Sequence, residues 1–448
     1  MPQNESGLQP LRECQFDSND LFRGFLNPLK DGEFRWPLGP EASLATQAKT
    51  RLGPLTSFRF FAAIGVVIYH YIRGADSGFP VASRFHLVAS YGSLGVAFFF
   101  ILSGYILAYN YAGTSEKAKR IDVRTFWWKR FARIYPLFLF ALLICVPLNV
   151  PQGVQMHGAL GAATRLPVTF FANLLLIHAW HQHLNGTWNP PGWSLSAEAF
   201  FYLMFPLLVR RLTWIREAGW KETAAKVAVL LATCLLIMSG VDYALAMGAR
   251  ETFFLMYFPP LNFALFVMGT TLCLFEQRVR LDAPRVSYWL NIVCGVIVLV
   301  VLGCIGLNVG FPAVPKTACA SIFFCALIWL GGSGAQLWVS RLLSWSPLLL
   351  LGEASYAVYL LHYPVFLYFV WLWAAAGFGT YDPSAHSNQL FYLSYVIALI
   401  GVSILAYKFL EQPARSFLQS RRPWSWKPIL SKAAPVLPDG SAVAVQQD

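Results

Sequence analysis

Long apolar runs separated by short polar stretches occupy the chain from residue 55 to residue 410. Most of these runs have about the length that an α-helix needs to cross the hydrocarbon core of a bilayer, roughly 20 residues. The predicted membrane-spanning helices are 55–71, 88–109, 134–150, 193–210, 225–247, 255–275, 287–307, 314–332, 351–374 and 389–410. The pattern therefore predicts an all-α, polytopic integral membrane protein of about ten transmembrane helices.

The distribution of Lys and Arg predicts which loops face the cytoplasm. Basic residues outnumber acidic ones at 116–133 and again at 210–226, whereas the segment 151–193 holds no Lys and a single Arg. By the positive-inside rule the first two segments are cytoplasmic and the third is external, so both termini are predicted on the cytoplasmic side. A short apolar stretch in the external segment, 167–179, is then predicted to be interfacial or re-entrant, because it is too short for a comfortable crossing.

The two polar ends of the chain delimit three predicted parts. Residues 1–52 are of mixed charge and rich in Gly and Pro, and the last residues are basic and Pro-rich. We predict a cytoplasmic extension at 1–52, a membrane domain at 53–415 and a cytoplasmic, largely disordered tail at 416–448. The first fifty residues contain no basic region followed by an apolar core, so we expect no cleavable signal peptide and assign targeting to the first predicted helix.

Composition supports the membrane class and narrows the partners. Hydrophobic residues make up 56% of the chain, charged residues 12%, and the mean hydropathy is +0.51, values that exclude an ordinary soluble domain. The net charge of +12 is typical of cytoplasmic loops that face anionic lipid, and nucleic acid is not an expected partner. The eight cysteines show no paired spacing, so we predict no metal site.

Arg59 and His70 are the polar groups of consequence in the first predicted helix, 55–71. Their spacing of eleven residues is about three helical turns, so both side chains lie on nearly one face, separated by roughly 16 Å of rise. Ionisable groups in a membrane helix usually face a bundle interior or a water-filled cavity, which makes the pair a functional candidate. The alternative is that Arg59 reaches the lipid headgroups and His70 is hydrated at the other interface.

Arg130 and Arg133 are three residues apart and project from one side of a predicted helix at the cytoplasmic surface. The planar guanidinium group makes bidentate, charge-assisted hydrogen bonds to phosphate, so this pair is suited to a phosphate-rich ligand. The alternative is an ordinary positive-inside anchor, for which Lys129 and Arg124 serve equally well.

Glu198 lies about one turn inside the predicted helix 193–210, after a break at 189–192 that is made of Asn, Pro and Gly. A carboxylate near a helix N-terminus is stabilised by the helix dipole, which is a structural explanation for its presence. The predicted topology also places Glu198 at the outer level of His70. There a carboxylate, with Tyr202 one turn further along, can orient a histidine from another helix.

Two further motifs place polar groups inside predicted helices. Ser355, Tyr359 and His362 share one face of the helix 351–374, where His362 is either a functional group or a hydrogen-bonded structural residue. The pair Ser103-Gly104 lets neighbouring helices approach closely, and a lining of a narrow passage is its second interpretation.

Together these motifs resemble the acyltransferase 3 family, polytopic membrane O-acyltransferases that modify surface and exported glycans. The similarity covers about residues 55–415, with the motifs in family order. The matching residues are Arg59 and His70 in SFRFFAAIGVVIYHY, Ser103 in FFILSGYIL, Arg130 and Arg133 in WWKRFARIYP, Glu198 in WSLSAEAFFY and His362 in GEASYAVYLLHYP. One position departs from the family, because PLNFALFVMG carries Asn262 where many relatives carry Arg.

The resemblance implies an enzyme of the cell (inner) membrane that uses acetyl-CoA or another acyl-CoA as co-substrate and binds no cofactor. Arg59, Arg130 and Arg133 then hold the donor, which enters from the cytoplasm. His70 is the general base on a hydroxyl of a carbohydrate acceptor of the exopolysaccharide, lipopolysaccharide or peptidoglycan type, and Glu198 orients His70 or stabilises its protonated form. The supporting residues are Ser103, Tyr202, Tyr359 and His362.

The implied partners are acyl-CoA, the carbohydrate acceptor and the lipid bilayer, and the enzyme acts alone or with a separate glycan-assembly protein. A multispan transporter or flippase of a glycan or small anionic substrate is the alternative function, since intramembrane Arg and His suit transport as well. The clustered cytoplasmic arginines, together with a His and a Glu at the outer level, favour acyl transfer.

Overall fold

The computed structural model describes residues 40–71, 90–112, 121–248, 254–307, 309, 315–332, 338–379 and 389–421. The chain divides into two units, Met1–Gln47 and Ala48–Asp448. Of the first unit only residues 40–47 are described, and they are helical. Most of the predicted extension 1–52 and most of the predicted tail 416–448 therefore lie outside the described residues.

Helices form nearly all of the described structure. In chain order they are α1 (Pro40–Tyr71), α2 (Gly95–Tyr111), α3 (Val123–Leu174), α4 (Trp193–Arg211), α5 (Trp214–Glu217), α6 (Trp220–Ala246), α7 (Pro259–Asp282), α8 (Pro284–Gly306), α9 (Lys316–Gly332), α10 (Trp338–Leu343), α11 (Ser346–Glu353), α12 (Ser355–Ala375), α13 (Gln389–Ala406) and α14 (Gln412–Ser420). Short 3₁₀ turns lie at Gly92–Leu94, His178–Trp180 and Pro190–Gly192.

The ten predicted crossings each correspond to a helix. Nine helical stretches of the described chain are long and apolar enough to cross a membrane, and α9 is a shorter apolar helix at the remaining predicted position. No β-strand occurs in the described ranges. The predicted class, an all-α polytopic membrane protein, is confirmed.

Helix α3 begins at Val123, ahead of the predicted crossing 134–150, because a capping residue precedes it. The carboxylate of Asp122 accepts a hydrogen bond from the backbone N–H of Arg124 at 3.2 Å, which satisfies a donor that the helix itself leaves unpaired. The Thr125 hydroxyl donates to the same carboxylate and holds the pKa of Asp122 below its ordinary value. The first turns of α3 are thus fixed ahead of the two arginines that the sequence analysis singled out.

Helix α3 is a hairpin of two helical arms joined at Gly158, whose φ of 68° and ψ of 167° are not helical. The arms fold back on each other and are joined by a hydrogen bond from the Tyr135 hydroxyl to the Leu174 carbonyl at 3.1 Å. The returning arm is also tied to the following loop, where the Trp188 indole N–H donates to the Thr169 hydroxyl at 3.0 Å. The returning arm includes the first part of the segment 167–179, whose interfacial or re-entrant position stays a prediction.

Two glycines allow α2 and α7 to pack backbone to backbone. A β-carbon added to Gly269 would lie 1.8 Å from the carbonyl oxygen of Ile101, and one added to Gly104 would lie 2.1 Å from that of Phe266. The Thr270 hydroxyl is also 3.4 Å from the Gly104 carbonyl oxygen. Small residues permit this approach in lipid, where no hydrophobic force drives helices together, so the predicted packing role of Gly104 is borne out by the geometry.

The last long helix widens into a π turn, Tyr407–Glu411, between α13 and α14. Such single turns are rare and occur frequently at functional sites. The turn directs the Glu411 side chain into the protein, where the residue is only 1% exposed.

Candidate active site

Arg59 of α1, Arg130 and Arg133 of α3 and Glu198 of α4 line one cavity of about 170 Å³, which we call the arginine cavity. The sequence analysis assigned the three arginines to a single ligand, and the structure brings them together from helices far apart in the chain. Ser103, Tyr202 and Tyr359, three of the predicted supporting residues, line the same cavity.

Arg130 is held among aromatic rings. Its guanidinium carbon lies 5.7 Å from the ring centroid of Tyr111, 5.8 Å from that of Phe126 and 6.0 Å from that of Tyr202, distances at which a cation is attracted to the ring face. Nη2 is 3.5 Å from the Tyr111 hydroxyl. Within the described residues Nε of Arg130 is buried and has no hydrogen-bond partner. Arg130 therefore keeps hydrogen-bonding capacity for a ligand.

Arg133 forms an ion pair with Glu411 of the π turn, 278 residues later in the chain. The sequence analysis did not single out Glu411, although a carboxylate near the end of an apolar helix is a signal for a functional residue. Arg415, which it did not single out either, also acts electrostatically on Glu411, together with Arg133 and Arg59.

Glu198 accepts two hydrogen bonds on Oε1. The Ser103 hydroxyl donates at 3.0 Å, and the Tyr202 hydroxyl donates from the next turn of α4. These contacts join three of the predicted residues into one hydrogen-bonded group on the wall of the arginine cavity. The charge of Glu198 also acts on Arg59.

The structure corrects the predicted placement of Glu198 beside His70, because the two residues line different cavities. Helix α4 begins at Trp193, directly after the 3₁₀ turn, and five residues advance the helix by roughly 7.5 Å. That advance brings Glu198 to the level of Ser103. A contact in which Glu198 orients His70 is therefore not part of the described structure.

His70 lines a second and larger cavity of about 820 Å³, which we call the histidine cavity. The His70 side chain is exposed, and its wall neighbours include Tyr69, Trp193 and Tyr257. Asn262, the residue that departs from the family pattern, lies on the same wall and donates through its amide nitrogen to the carbonyls of Met256 and Phe258, at 2.9 and 3.1 Å.

His362 packs directly against His70. The two imidazole rings are stacked, with centroids 5.3 Å apart and planes inclined by 25°. Nδ1 of His362 is 2.5 Å from the carbonyl oxygen of Tyr359, and since a carbonyl oxygen only accepts, His362 donates from Nδ1. The Tyr395 hydroxyl donates to the His362 carbonyl at 2.9 Å. His362 is thus fixed on both sides, and the structure links this predicted supporting residue to His70.

Val96 and Tyr359 line both cavities and form the wall between them. The Tyr359 hydroxyl donates to the carbonyl of Pro191 at 2.9 Å, which ties α12 to the turn that precedes α4. The predicted polar residues therefore form two neighbouring compartments, one with arginines and one with histidine, on opposite sides of a single tyrosine.

The described ranges contain no candidate metal-binding site. No group of three or more His, Cys, Asp or Glu side chains there is arranged to hold a metal ion.

Comparisons with known proteins place the chain in a family. The acyltransferase domain family model (Acyl_transf_3) matches residues 55–408. Acyltransferase MdmB of Streptomyces mycarofaciens is 28% identical over 84% of this chain and 95% of its own length. O-acetyltransferase OatA of Staphylococcus aureus is 25% identical over 81% of this chain, and the putative peptidoglycan O-acetyltransferase YrhL of Bacillus subtilis is 24% identical over 86%.

The chain spans 57% of the length of OatA and 60% of the length of YrhL. No solved structure matches it. The family match extends from the helix that carries Arg59 and His70 to the π turn, and so it contains both cavities. Its described ranges contain nine long apolar helices. Because the family model matches most of its length, this chain belongs to the acyltransferase 3 family and is a multi-pass membrane acyltransferase.

Proposed function

We propose that this protein moves an acyl group, most simply acetyl, from acyl-CoA in the arginine cavity to a hydroxyl of a glycan in the histidine cavity. The observation that carries the proposal is the shared wall: Val96 and Tyr359 separate a compartment lined by three arginines from one that contains an exposed histidine. A donor with phosphates and an acceptor with hydroxyls each find the chemistry they need on one side of that wall.

The donor side is suited to phosphate. Arg130 and Arg133 lie on one face of α3 and Arg59 faces them from α1, all three on the wall of the arginine cavity. Arginine is the preferred partner of phosphate because its planar group makes paired, charge-assisted hydrogen bonds. In this arrangement the phosphates of the donor bind at the arginines, and its thioester arm extends toward Tyr359.

The acceptor side supplies the base. His70 removes the proton of the acceptor hydroxyl as the oxygen forms a bond to the thioester carbonyl carbon. The carbon–sulfur bond then breaks, and the departing CoA thiolate takes up a proton. General-base assistance of this kind typically accelerates a reaction by ~10² to 10⁴. The stacked His362 fixes the His70 ring, and Glu198, with Ser103 and Tyr202, orients the guanidinium groups of the donor side.

The acceptor class is part of the proposal. The relatives named O-acetyltransferase and putative peptidoglycan O-acetyltransferase favour acetyl as the group and a glycan of the cell surface as the acceptor. The wall of the histidine cavity includes Trp193, Tyr257 and Asn185, a mixture of aromatic faces and amide groups of the kind that lines small-molecule pockets. The enzyme acts in the cell (inner) membrane, alone or with a glycan-assembly protein.

The test uses the purified full chain, labelled acetyl-CoA and a panel of cell-surface glycans. His70→Ala should lower the transfer rate by ~10² or more, while His157→Ala, at an exposed position of α3, should leave it unchanged. Undiminished transfer by the His70 variant would remove His70 from the mechanism.

The donor site has its own test. Arg130→Ala and Arg133→Ala should each raise the acetyl-CoA KM by about tenfold or more, because each removes a charge-assisted hydrogen bond. Arg211→Ala, at the exposed end of α4, is the matched control. An unchanged KM in both cavity variants would mean that these arginines only anchor α3 at the membrane surface.

A further inference from the structure

An acidic group that the predicted chemistry does not need lies behind the arginine cavity, paired with Arg133 of the cavity wall. Glu411 is 1% exposed, and it meets the guanidinium group of Arg133, whose side chain is 19% exposed. Burying a carboxylate costs free energy unless it is paired, so its presence beside a phosphate-binding arginine calls for a physical role.

The pairing leaves one oxygen of Glu411 unused. The contact joins Nη1 of Arg133 to Oε1 of Glu411, a single-point rather than a two-point arrangement. In the described part of the chain Oε2 of Glu411 is buried without a hydrogen-bond partner. A permanent structural ion pair is expected to satisfy both carboxylate oxygens, and two-point pairs are the strong ones. Arg133 also lines the arginine cavity, and its side chain is 19% exposed.

The charges around Glu411 favour an anion. Arg133, Arg59 and Arg415 all act electrostatically on the Glu411 carboxylate, and Arg130 acts on Arg415. Four arginines and two carboxylates, Glu411 and Glu198, are thus coupled electrostatically within the described residues, and the group is positively charged overall. Glu411 is the carboxylate of this group that pairs with Arg133.

We propose that Glu411 is a positioning residue that competes with the donor's phosphate for Arg133. It holds the guanidinium in place in the empty enzyme, gives it up when acyl-CoA binds, and takes it back when CoA leaves. This inference rests on the proposed function, because it assumes that the arginine cavity binds CoA.

The position of Glu411 suits such an exchange. It ends the π turn, where the helix has one extra residue, and the turn begins with Tyr407, whose hydroxyl donates to Glu353 at 2.5 Å and accepts from Gln412 at 2.7 Å. These contacts hold the turn independently of Arg133. The carboxylate can therefore lose its arginine without loss of the surrounding helix.

The experiment measures the binding of CoA itself to the purified full chain by titration calorimetry. Glu411→Gln keeps the shape and the hydrogen-bond acceptor but removes the charge, and charge-assisted hydrogen bonds are roughly twice as strong as neutral ones. The Kd for CoA should fall by about tenfold, because the competitor for Arg133 is weakened. Glu222→Gln, which alters an exposed carboxylate of α6 that pairs with Lys226, should leave the Kd unchanged.

The Arg133→Ala variant shows whether Glu411→Gln tightens CoA binding by ending competition for Arg133 or only by changing the charge of the site. Without Arg133 there is no shared partner, so adding Glu411→Gln to Arg133→Ala should not tighten CoA binding. Glu411→Asp, which keeps the charge but withdraws it from Arg133, should give a Kd between those of the wild type and Glu411→Gln, and it provides the test if Glu411→Gln does not fold.

The outcomes distinguish this inference from the proposed function. If the wild type does not bind CoA, the donor assignment fails. If the wild type binds CoA and the Kd of both Glu411 variants is equal to or higher than that of the wild type, the donor assignment stands. Glu411 is then a structural partner of Arg133 only. Tighter binding by Glu411→Gln that persists without Arg133 would also overturn the competition.

Discussion

Replacement of Gly269 by Ala tests the packing on which the arginine cavity depends. The added β-carbon would lie 1.8 Å from the Ile101 carbonyl oxygen, whereas real β-carbons essentially never come closer than 3.0 Å to such an atom. The difference between these distances means that α2 and α7 have to separate by roughly 1.2 Å at this point. The clash is with backbone on both sides, so no side-chain rotation can relieve it.

We expect Gly269→Ala to lower the free energy of unfolding by about 1–3 kcal/mol, the usual cost of overpacking a core. Gly303→Ala on α8 is the matched control, because a β-carbon there meets nothing within 4 Å. That change should be neutral or stabilising by up to ~1 kcal/mol, since Ala is the better helix former. The two substitutions are chemically identical and are predicted to act in opposite directions.

The assay is thermal unfolding of the detergent-purified protein. Unfolding is detected by a thiol dye that reacts with buried cysteines such as Cys273 as they become exposed. Acetyl transfer should fall in parallel, because α2 also carries Ser103, whose hydroxyl is 3.0 Å from Glu198. Equal unfolding temperatures for Gly269→Ala and Gly303→Ala would refute the close α2–α7 contact.

Three further substitutions test individual contacts. Tyr202→Phe removes one of the two hydrogen bonds to Glu198. It should lower the kcat of acetyl transfer by about fivefold and leave the unfolding temperature unchanged. Tyr359→Phe removes the hydroxyl that binds the turn before α4 and should destabilise the protein by about 1 kcal/mol in the same thermal assay, and no loss would show that the turn is held by other contacts. Asp242→Ala should cost about 1–2 kcal/mol, because this carboxylate accepts from the backbone N–H and the hydroxyl of Thr317 at the start of α9, at 2.6 and 2.7 Å.

The sequence predicted the crossings well because the membrane makes them a local property. A helix in lipid satisfies its own backbone hydrogen bonds, so an apolar run of sufficient length determines a span without reference to the rest of the chain. The same locality explains the re-entrant prediction at 167–179, which needs only a length and the charges on either side. The sequence placed Arg130 and Arg133 on the helix of the third crossing, but the start of that helix at Val123 depends on the cap by Asp122, which is a geometric detail rather than a matter of hydropathy.

The two cavities show where the sequence stops being sufficient. Periodicity placed Arg130 and Arg133 on one side of one helix, whereas the predicted topology put Glu198 at the level of His70, and the two residues line different cavities. The register between helices depends on glycine contacts such as that of Gly269 with α2, and these contacts connect residues with no sequence relation. A shift of one turn decides which polar groups meet.

By itself, the sequence determined that this protein is an all-α membrane acyltransferase, and its motifs named the arginines and the histidine. Only the tertiary structure decided that Glu198 belongs with the arginines, that His362 stacks on His70 and that Glu411 pairs with Arg133 across 278 residues. The physical reason is that insertion into lipid depends on each helix alone, whereas the meeting of polar side chains depends on how closely and in which register the helices pack.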